Sequence, residues 1–98
     1  MVGYQPHHKK LLLDIITKHL PTCKVYLYGS RARNDQQSGS DFDIALDNGN
    51  IIDLYTLSVI KEDIEESNLP LFVDVIDVHN VAADFLAAIQ KDWILWKP

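Results

Sequence analysis

The sequence Tyr28-Gly-Ser-Arg-Ala-Arg-Asn-Asp-Gln-Gln-Ser-Gly-Ser-Asp-Phe-Asp43 carries most of the information in this chain. It holds a Gly-Ser pair, ten intervening residues and then an Asp-x-Asp motif. The β-branched and aromatic residues at 24–28 predict a strand that ends at Gly29. Alternating apolar residues predict a second strand over 41–46. The stretch therefore predicts two strands joined by a polar loop, with two acids at the start of the second strand.

Three carboxylates are predicted to form a metal site. Alternate residues of a strand point to one face, so Asp41 and Asp43 should project side by side. A third acid, Asp74, lies in an apolar run that predicts a strand over 71–78. Asp77, three residues further on, should face the opposite side near the strand end, where it is easily solvated, so we select Asp74. Magnesium prefers oxygen ligands, and three carboxylates would suit two Mg²⁺ ions.

The Gly-Ser pair is predicted to bind phosphate. Gly29 has no Cβ, so a phosphate group could approach its backbone closely. Ser30 adds a hydroxyl donor, and a short helix predicted over 31–34 would offer N–H groups to an anion. Arg31 and Arg33 are candidates for a charged contact with phosphate. The alternative for each arginine is an ordinary surface position.

The remaining patterns predict helices packed on a small mixed sheet. A first helix should begin near Pro6 and end before Pro21, while Asp53 and Asn80 should cap two later helices. The predicted apolar faces of these later helices are Leu54, Leu57, Ile60 and Ile64 in one, and Val81, Phe85, Ala88 and Ile89 in the other. Trp93 to Trp96 could form a final strand, and these two tryptophans could either close the core or anchor a partner. The order helix, strand, strand, helix, strand, helix predicts an α/β fold.

Length and composition narrow the class of protein. The 98 residues suit a single domain over 1–98, with a thin core. The formal net charge of −5 argues against an extended nucleic-acid surface, which needs clustered Lys and Arg. The single cysteine, Cys23, is expected to be a small buried residue. Neither a signal peptide nor a membrane-length apolar run is recognisable, so we expect a cytoplasmic protein.

These motifs resemble the minimal nucleotidyltransferase (MNT) family of the DNA polymerase beta-like superfamily. The family pattern is Gly-Ser, ten residues, Asp-x-Asp and a later Asp in an apolar strand. Here the matching positions are Gly29, Ser30, Asp41, Asp43 and Asp74. The resemblance extends over nearly the whole chain. One departure is Asn34, where the family often has glycine, but asparagine tolerates the left-handed backbone that such a loop requires.

The resemblance implies a function. MNT proteins are commonly encoded beside a helical HEPN protein, a ribonuclease toxin, which they neutralise by transferring AMP from ATP to a toxin tyrosine, by forming a stable complex, or both. It implies that Asp41, Asp43 and Asp74 bind Mg²⁺, that Asp74 helps to deprotonate the acceptor hydroxyl, and that Gly29 and Ser30 hold the triphosphate of ATP. Larger relatives carry a further domain for the acceptor, so we expect this chain to receive its acceptor from a partner protein.

Two other functions stay open. The chain could be a non-catalytic binding module that neutralises its partner by occlusion alone. Three metal-facing carboxylates favour the enzyme, because without a metal they only repel one another. A nucleotidyltransferase acting on a small molecule is a weaker alternative, because the sequence indicates no acceptor pocket.

Overall fold

A computed structural model describes residues 3–37 and 39–98, which form four strands, four α-helices and one 3₁₀ turn. In chain order they are α1 (Pro6–His19), β1 (Lys24–Tyr28), α2 (Ser30–Arg33), β2 (Phe42–Asp47), α3 (Leu54–Glu65), β3 (Val73–Asp77), a 3₁₀ turn (Val78–Asn80), α4 (Ala83–Gln90) and β4 (Ile94–Lys97). The predicted α/β fold with a small mixed sheet is confirmed.

The sheet has the strand order β3-β2-β1-β4. β1 runs antiparallel to both β2 and β4, whereas β2 and β3 are parallel. Parallel neighbours need a crossover, and α3 supplies it. β3 is therefore an edge strand, and it lies directly beside the strand that carries the Asp-x-Asp motif.

The two faces of the sheet differ in what covers them. Alternate residues of β1 and β2 turn toward α1 and α3 and form the main core. Its fully buried members include Leu12, Ile16, Val25, Leu27, Phe42, Ile44, Leu46 and Ile60. A smaller cluster around Tyr28, Ala45 and Val78 packs toward α4 on the other face. That second face also carries Asp43 of β2 and Asp74 of β3. One face of β2 is therefore buried in the core, while the other presents a carboxylate.

Several local predictions are confirmed. Pro6 is the first residue of α1, and the Asp53 carboxylate caps α3 by accepting the Thr56 N–H at 2.9 Å. Asn34 ends α2 in the left-handed region, with φ 61° and ψ 31°, so it takes the conformation expected of it. Cys23 is buried and makes no disulfide. Among the residues described, no helix is long and apolar enough to cross a bilayer.

Other predictions are wrong. β2 begins one residue late, so Asp41 precedes the strand instead of starting it. Leu54 is 72 % exposed and does not belong to the buried stripe of α3. α4 begins at Ala83, because Asn80 ends the 3₁₀ turn instead of capping the helix, and α4 buries no residue completely. β3 spans only five of the eight predicted residues.

The tryptophans belong to the fold. Trp96 is 6 % exposed in the main core, where its ring meets those of Tyr4 and Phe42 edge to face. Trp93 stacks on Tyr26, with ring centroids 3.7 Å apart. Both side chains pack β4 and the residue before it against the rest of the fold. Of the two roles that the sequence left open for the tryptophans, core closure is therefore the one that the structure shows.

Candidate functional site

Asp43 and Asp74 lie side by side near the start of β2. Asp43 and Asp74 are direct partners in the parallel register of β2 and β3, so they occupy neighbouring positions on one face of the sheet. On its other side, Asp43 is opposite Tyr28, the last residue of β1. Asp41 is exposed and lies just before β2. Sequence position and strand register thus bring Asp43 and Asp74 together, with Asp41 next to them.

The electrostatics of Asp43 reflect this crowding. Partial burial raises the pKa of the Asp43 carboxyl above its ordinary value, and the negative charges of Asp74 and Asp41 raise it further. The cations of Arg33 and Arg31 offset part of that rise. The site therefore carries negative charge that its own cations do not fully neutralise.

Gly29 is in close contact with the Asp43 carboxylate. Its backbone has φ 77° and ψ −157°, a region that is almost restricted to glycine. A Cβ added at Gly29 would lie 2.3 Å from an Asp43 carboxylate oxygen. The absence of a side chain at Gly29 thus leaves room for this carboxylate. The approach of a phosphate to Gly29 stays a prediction.

Tyr28 is a residue of the site that the sequence analysis did not single out. It is 6 % exposed, and its ring meets that of Phe85 in α4 edge to face at 6.0 Å. Burial raises the pKa of the Tyr28 phenol, and Asp74 and Asp43 raise it further, so the hydroxyl stays neutral. Its sequence position could have indicated this role. Tyr28 is the last strand residue before Gly29, so it must lie beside a residue of the neighbouring strand, and that residue is Asp43.

The two arginines of the motif have different surroundings. Arg31 is 9 % exposed, and its guanidinium donates to the backbone carbonyls of Gly3 and Ser40. Arg33 is exposed and donates to Asp35 at 3.2 Å. The described hydrogen bonds of Arg31 thus all go to the chain's own backbone, whereas Arg33 is open to solvent. A contact of either arginine with phosphate stays a prediction. α2 is a single turn, so Ser30 has little helix dipole behind it.

The donor set of the acids suits a hard divalent cation. Three carboxylates on neighbouring segments offer oxygen ligands, which hard divalent cations prefer. A cation beside them would reduce the repulsion by which Asp74 and Asp41 raise the pKa of Asp43. In the described part of the chain, no three His, Cys, Asp or Glu side chains converge on one metal position. The three-acid magnesium site therefore stays a prediction.

A groove runs along the outer side of β3 and reaches Asp74. Its volume is about 550 Å³. Its walls are Lys61, Ile64 and Glu65 of α3, residues 69–72 of the following loop, and Val73, Asp74 and Val75 of β3. Phe72, at 84 % exposed, stands on this wall two residues before Asp74. Most of the groove lies on the α3 side of the sheet, whereas the Asp74 side chain shares the opposite face with Asp43.

The expectation that Asp77 is easily solvated at the strand end is wrong, although the choice of Asp74 as the partner of Asp43 agrees with the strand register. Asp74 is exposed, whereas Asp77 is 3 % exposed and lies on the main-core face. The Asp77 carboxylate accepts the Ile52 N–H at 2.7 Å and the His79 N–H at 3.0 Å. Asp77 therefore fixes the backbone around α3 and the 3₁₀ turn, and it faces away from Asp43.

Comparison with known proteins agrees with this arrangement. The family model described as "Polymerase beta, Nucleotidyltransferase" matches residues 10–96. The chain belongs to the polymerase beta nucleotidyltransferase family. The match includes the Gly-Ser pair and all three acids, so the family resemblance inferred from the motif is confirmed.

Individual members of the family are also similar to this nucleotidyltransferase. The probable protein adenylyltransferase MntA of Haemophilus influenzae is 30 % identical over 85 residues, which are 87 % of this chain and 75 % of that protein. A crystal structure of a toxin–antitoxin with AMP-PNP superposes with a TM-score of 0.77 at 19 % identity, over 90 % of this chain and 71 % of that one. A mutant MntA–HpeT toxin–antitoxin gives a TM-score of 0.74 at 16 % identity, over 90 % and 70 % of the two chains. These structures show the fold.

Proposed function

We propose that this nucleotidyltransferase is an antitoxin that transfers AMP from ATP to a tyrosine hydroxyl of a HEPN-type toxin, with Mg²⁺ as the metal. The observation that carries the proposal is the pairing of Asp43 with Asp74 beside Gly29. Similarity to a protein named as a probable protein adenylyltransferase supports the reaction. Similarity to toxin–antitoxin structures, one of them with AMP-PNP, supports the partner and the nucleotide.

The nucleotide side of the proposed site is the β1–α2 junction. The Ser30 hydroxyl and the backbone at Gly29 would donate to and accommodate the triphosphate, and the exposed Arg33 would add a positive charge. Asp41, Asp43 and Asp74 would hold Mg²⁺. When bound, the metal would neutralise phosphate charge and lower the pKa of the acceptor hydroxyl.

The chemical step is a displacement at the α-phosphorus of ATP. The tyrosine oxygen forms a bond to that phosphorus, and the bond from the α-phosphorus to the oxygen bridging the β-phosphate breaks. Pyrophosphate leaves with the electron pair of the broken bond. The phenolic proton would pass to the carboxylate of Asp74, which is exposed on the edge strand. The product is an AMP–tyrosine phosphodiester, and the protein contributes mainly positioning and charge stabilisation.

The acceptor would approach Asp74 from the open edge of the sheet. A tyrosine that belongs to another protein must reach the reacting atoms from outside, and Asp74 is exposed on the edge strand β3. The exposed ring of Phe72 offers an apolar contact near this edge. In the strand order, β2 and β3 lie between β1 and this open edge. ATP, bound at the β1–α2 junction, and the acceptor tyrosine would therefore meet over the two strands that carry the acids.

The test uses ATP labelled at the α-phosphate or the γ-phosphate, Mg²⁺ and the protein encoded by the neighbouring gene. We expect the α-label, and not the γ-label, to appear on the partner. Asp41→Asn combined with Asp43→Asn should abolish labelling and leave the fold intact, because it removes proposed metal ligands and relieves repulsion. Asp92→Asn is the matched control, since Asp92 is an exposed acid after α4. Labelling at the wild-type rate in the double variant would refute the assignment of the site.

Neutralisation by complex formation alone is the alternative function, and the same assay separates the two. A stable complex with the partner and no α-label would favour the binding module. The exposed apolar side chains of Phe72, Tyr55 and Leu54, each at least 72 % exposed, give such a module contact area.

A further inference from the structure

The guanidinium of Arg31 joins three parts of the chain around the Asp-x-Asp motif. Nε and Nη2 donate to the Ser40 carbonyl at 3.0 and 2.6 Å, and Nη1 donates to the Gly3 carbonyl at 3.0 Å. The guanidinium carbon lies 4.6 Å from the centre of the Phe42 ring. Because the Ser40 carbonyl belongs to the peptide group that leads into Asp41, Arg31 contacts the chain on both sides of Asp41.

We propose that Arg31 is a positioning residue that holds Asp41 at the site by gripping the Ser40–Asp41 peptide group and the Phe42 ring. Asp41 needs such a restraint, because it is exposed and precedes β2 and so has no strand pairing of its own. Arg31 lies one residue after Ser30, on α2. It therefore ties residues 40–42 to α2, in addition to the connection that the pairing of β1 with β2 provides.

The N-terminal segment completes this restraint. The Gly3 carbonyl accepts from Arg31, and a Cβ added at Gly3 would lie 1.9 Å from the Arg31 carbonyl oxygen. Backbone therefore packs on backbone here, which leaves no room for a side chain at Gly3. A planar fork of donors suits this geometry, whereas the single ammonium of a lysine cannot replace it.

The direct test is Arg31→Lys, which keeps the charge and removes the fork. We measure amide hydrogen exchange in the protein without metal or nucleotide. The reporters are Gln37 and Ser40, whose amides bond within the loop, and Phe42, whose amide bonds to the Phe72 carbonyl at 2.9 Å. Loss of hydrogen bonds from a charged donor should speed their exchange about tenfold or more, with core amides of β1 unchanged.

The kinetic test follows AMP transfer to the partner and rests on the proposed function. Arg31→Lys should lower kcat about tenfold or more and raise the Mg²⁺ concentration that gives half the maximal rate, with KM for ATP within about threefold of wild type. Arg33→Met should instead raise KM for ATP. If the wild-type chain transfers no AMP, the proposed function fails, and the exchange measurement alone decides on Arg31.

Two further variants complete the design. Lys97→Met is the matched control, because Lys97 also donates to a backbone carbonyl, that of Cys23, at the other end of β1, and its loss should leave loop exchange unchanged. Gly3→Ala disturbs the same restraint from the N-terminal side and replaces Arg31→Lys if that variant does not fold. Wild-type loop exchange in Arg31→Lys would overturn the proposal. So would faster exchange of loop and core alike, or a raised KM for ATP with unchanged kcat.

Discussion

Gly29→Ala tests the close contact between the Gly-Ser pair and the acids. The new methyl group would lie 2.3 Å from an Asp43 carboxylate oxygen, so the side chain of Asp43 must move away from its place beside Asp74. The backbone at Gly29, with φ 77° and ψ −157°, is also strained for any residue with a Cβ. Both effects act on the folded state.

The expected magnitude follows from these two terms. The backbone strain costs roughly 1–3 kcal/mol, and the displaced carboxylate adds an overpacking cost of roughly 1–3 kcal/mol. We therefore expect the free energy of unfolding to fall by about 2–6 kcal/mol. In a domain of this size, each kcal/mol shifts the melting temperature by roughly 4–8 °C, so the loss should be at least about 8 °C.

Gly49→Ala is the matched control for this prediction. Gly49 has φ 83°, also in the left-handed region, but a Cβ there would meet nothing within 4 Å. The substitution should lower the free energy of unfolding by roughly 1–2 kcal/mol, because of the left-handed backbone alone. Gly49 lies beyond the other end of β2, away from the proposed site, so AMP transfer should stay intact. Urea unfolding and the labelling assay compare the two variants. If Gly29→Ala matches Gly49→Ala in stability and transfers AMP at the wild-type rate, the argument from the Asp43 contact is refuted.

Three further predictions concern stability. Asp77→Ala should lower the free energy of unfolding, measured in urea, by about 2–3 kcal/mol. The substitution leaves the buried Ile52 N–H without an acceptor and removes the hydrogen bond from the His79 N–H. Hydrogen bonds from the Gly49 N–H and from His79 lower the pKa of the Asp47 carboxyl in the folded protein. The ionised carboxylate therefore stabilises the fold above its unfolded-state pKa, and this stabilisation is lost as the pH falls through the folded-state pKa. Asp47→Asn should therefore flatten acid unfolding below about pH 4, as measured by circular dichroism. ATP with Mg²⁺ should raise the melting temperature. At an ATP concentration one hundred times its Kd, binding should stabilise the folded protein by about 2.7 kcal/mol. An unchanged melting temperature at millimolar nucleotide would count against the nucleotide site.

Much of the fold follows from local sequence signals. Pro6, Asp53 and Asn34 act through their own backbone or side-chain geometry, so their roles could be predicted without tertiary structure. The alternation in β2 likewise predicted that Phe42 and Asp43 face opposite sides. The pairing of Asp43 with Asp74 needed the additional inference that the two strands are neighbours, which the family pattern supplied.

The missed features depend on contacts distant in sequence. Asp77 is buried because the Ile52 N–H, 25 residues away, needs an acceptor. Arg31 is withdrawn from solvent by Gly3, 28 residues away. Leu54 is exposed although its spacing fits the stripe of α3, because the start of that helix lies outside the core. Periodicity describes one element at a time and carries no information on such partners.

The most direct measurement of the central claim is transfer of label from α-labelled ATP to the partner protein in the presence of Mg²⁺. The account predicts label on a partner tyrosine with the wild-type chain and with Asp92→Asn, and none with the combined Asp41→Asn and Asp43→Asn variant. A stable complex that never carries the label, or label that persists in the double variant, would contradict it.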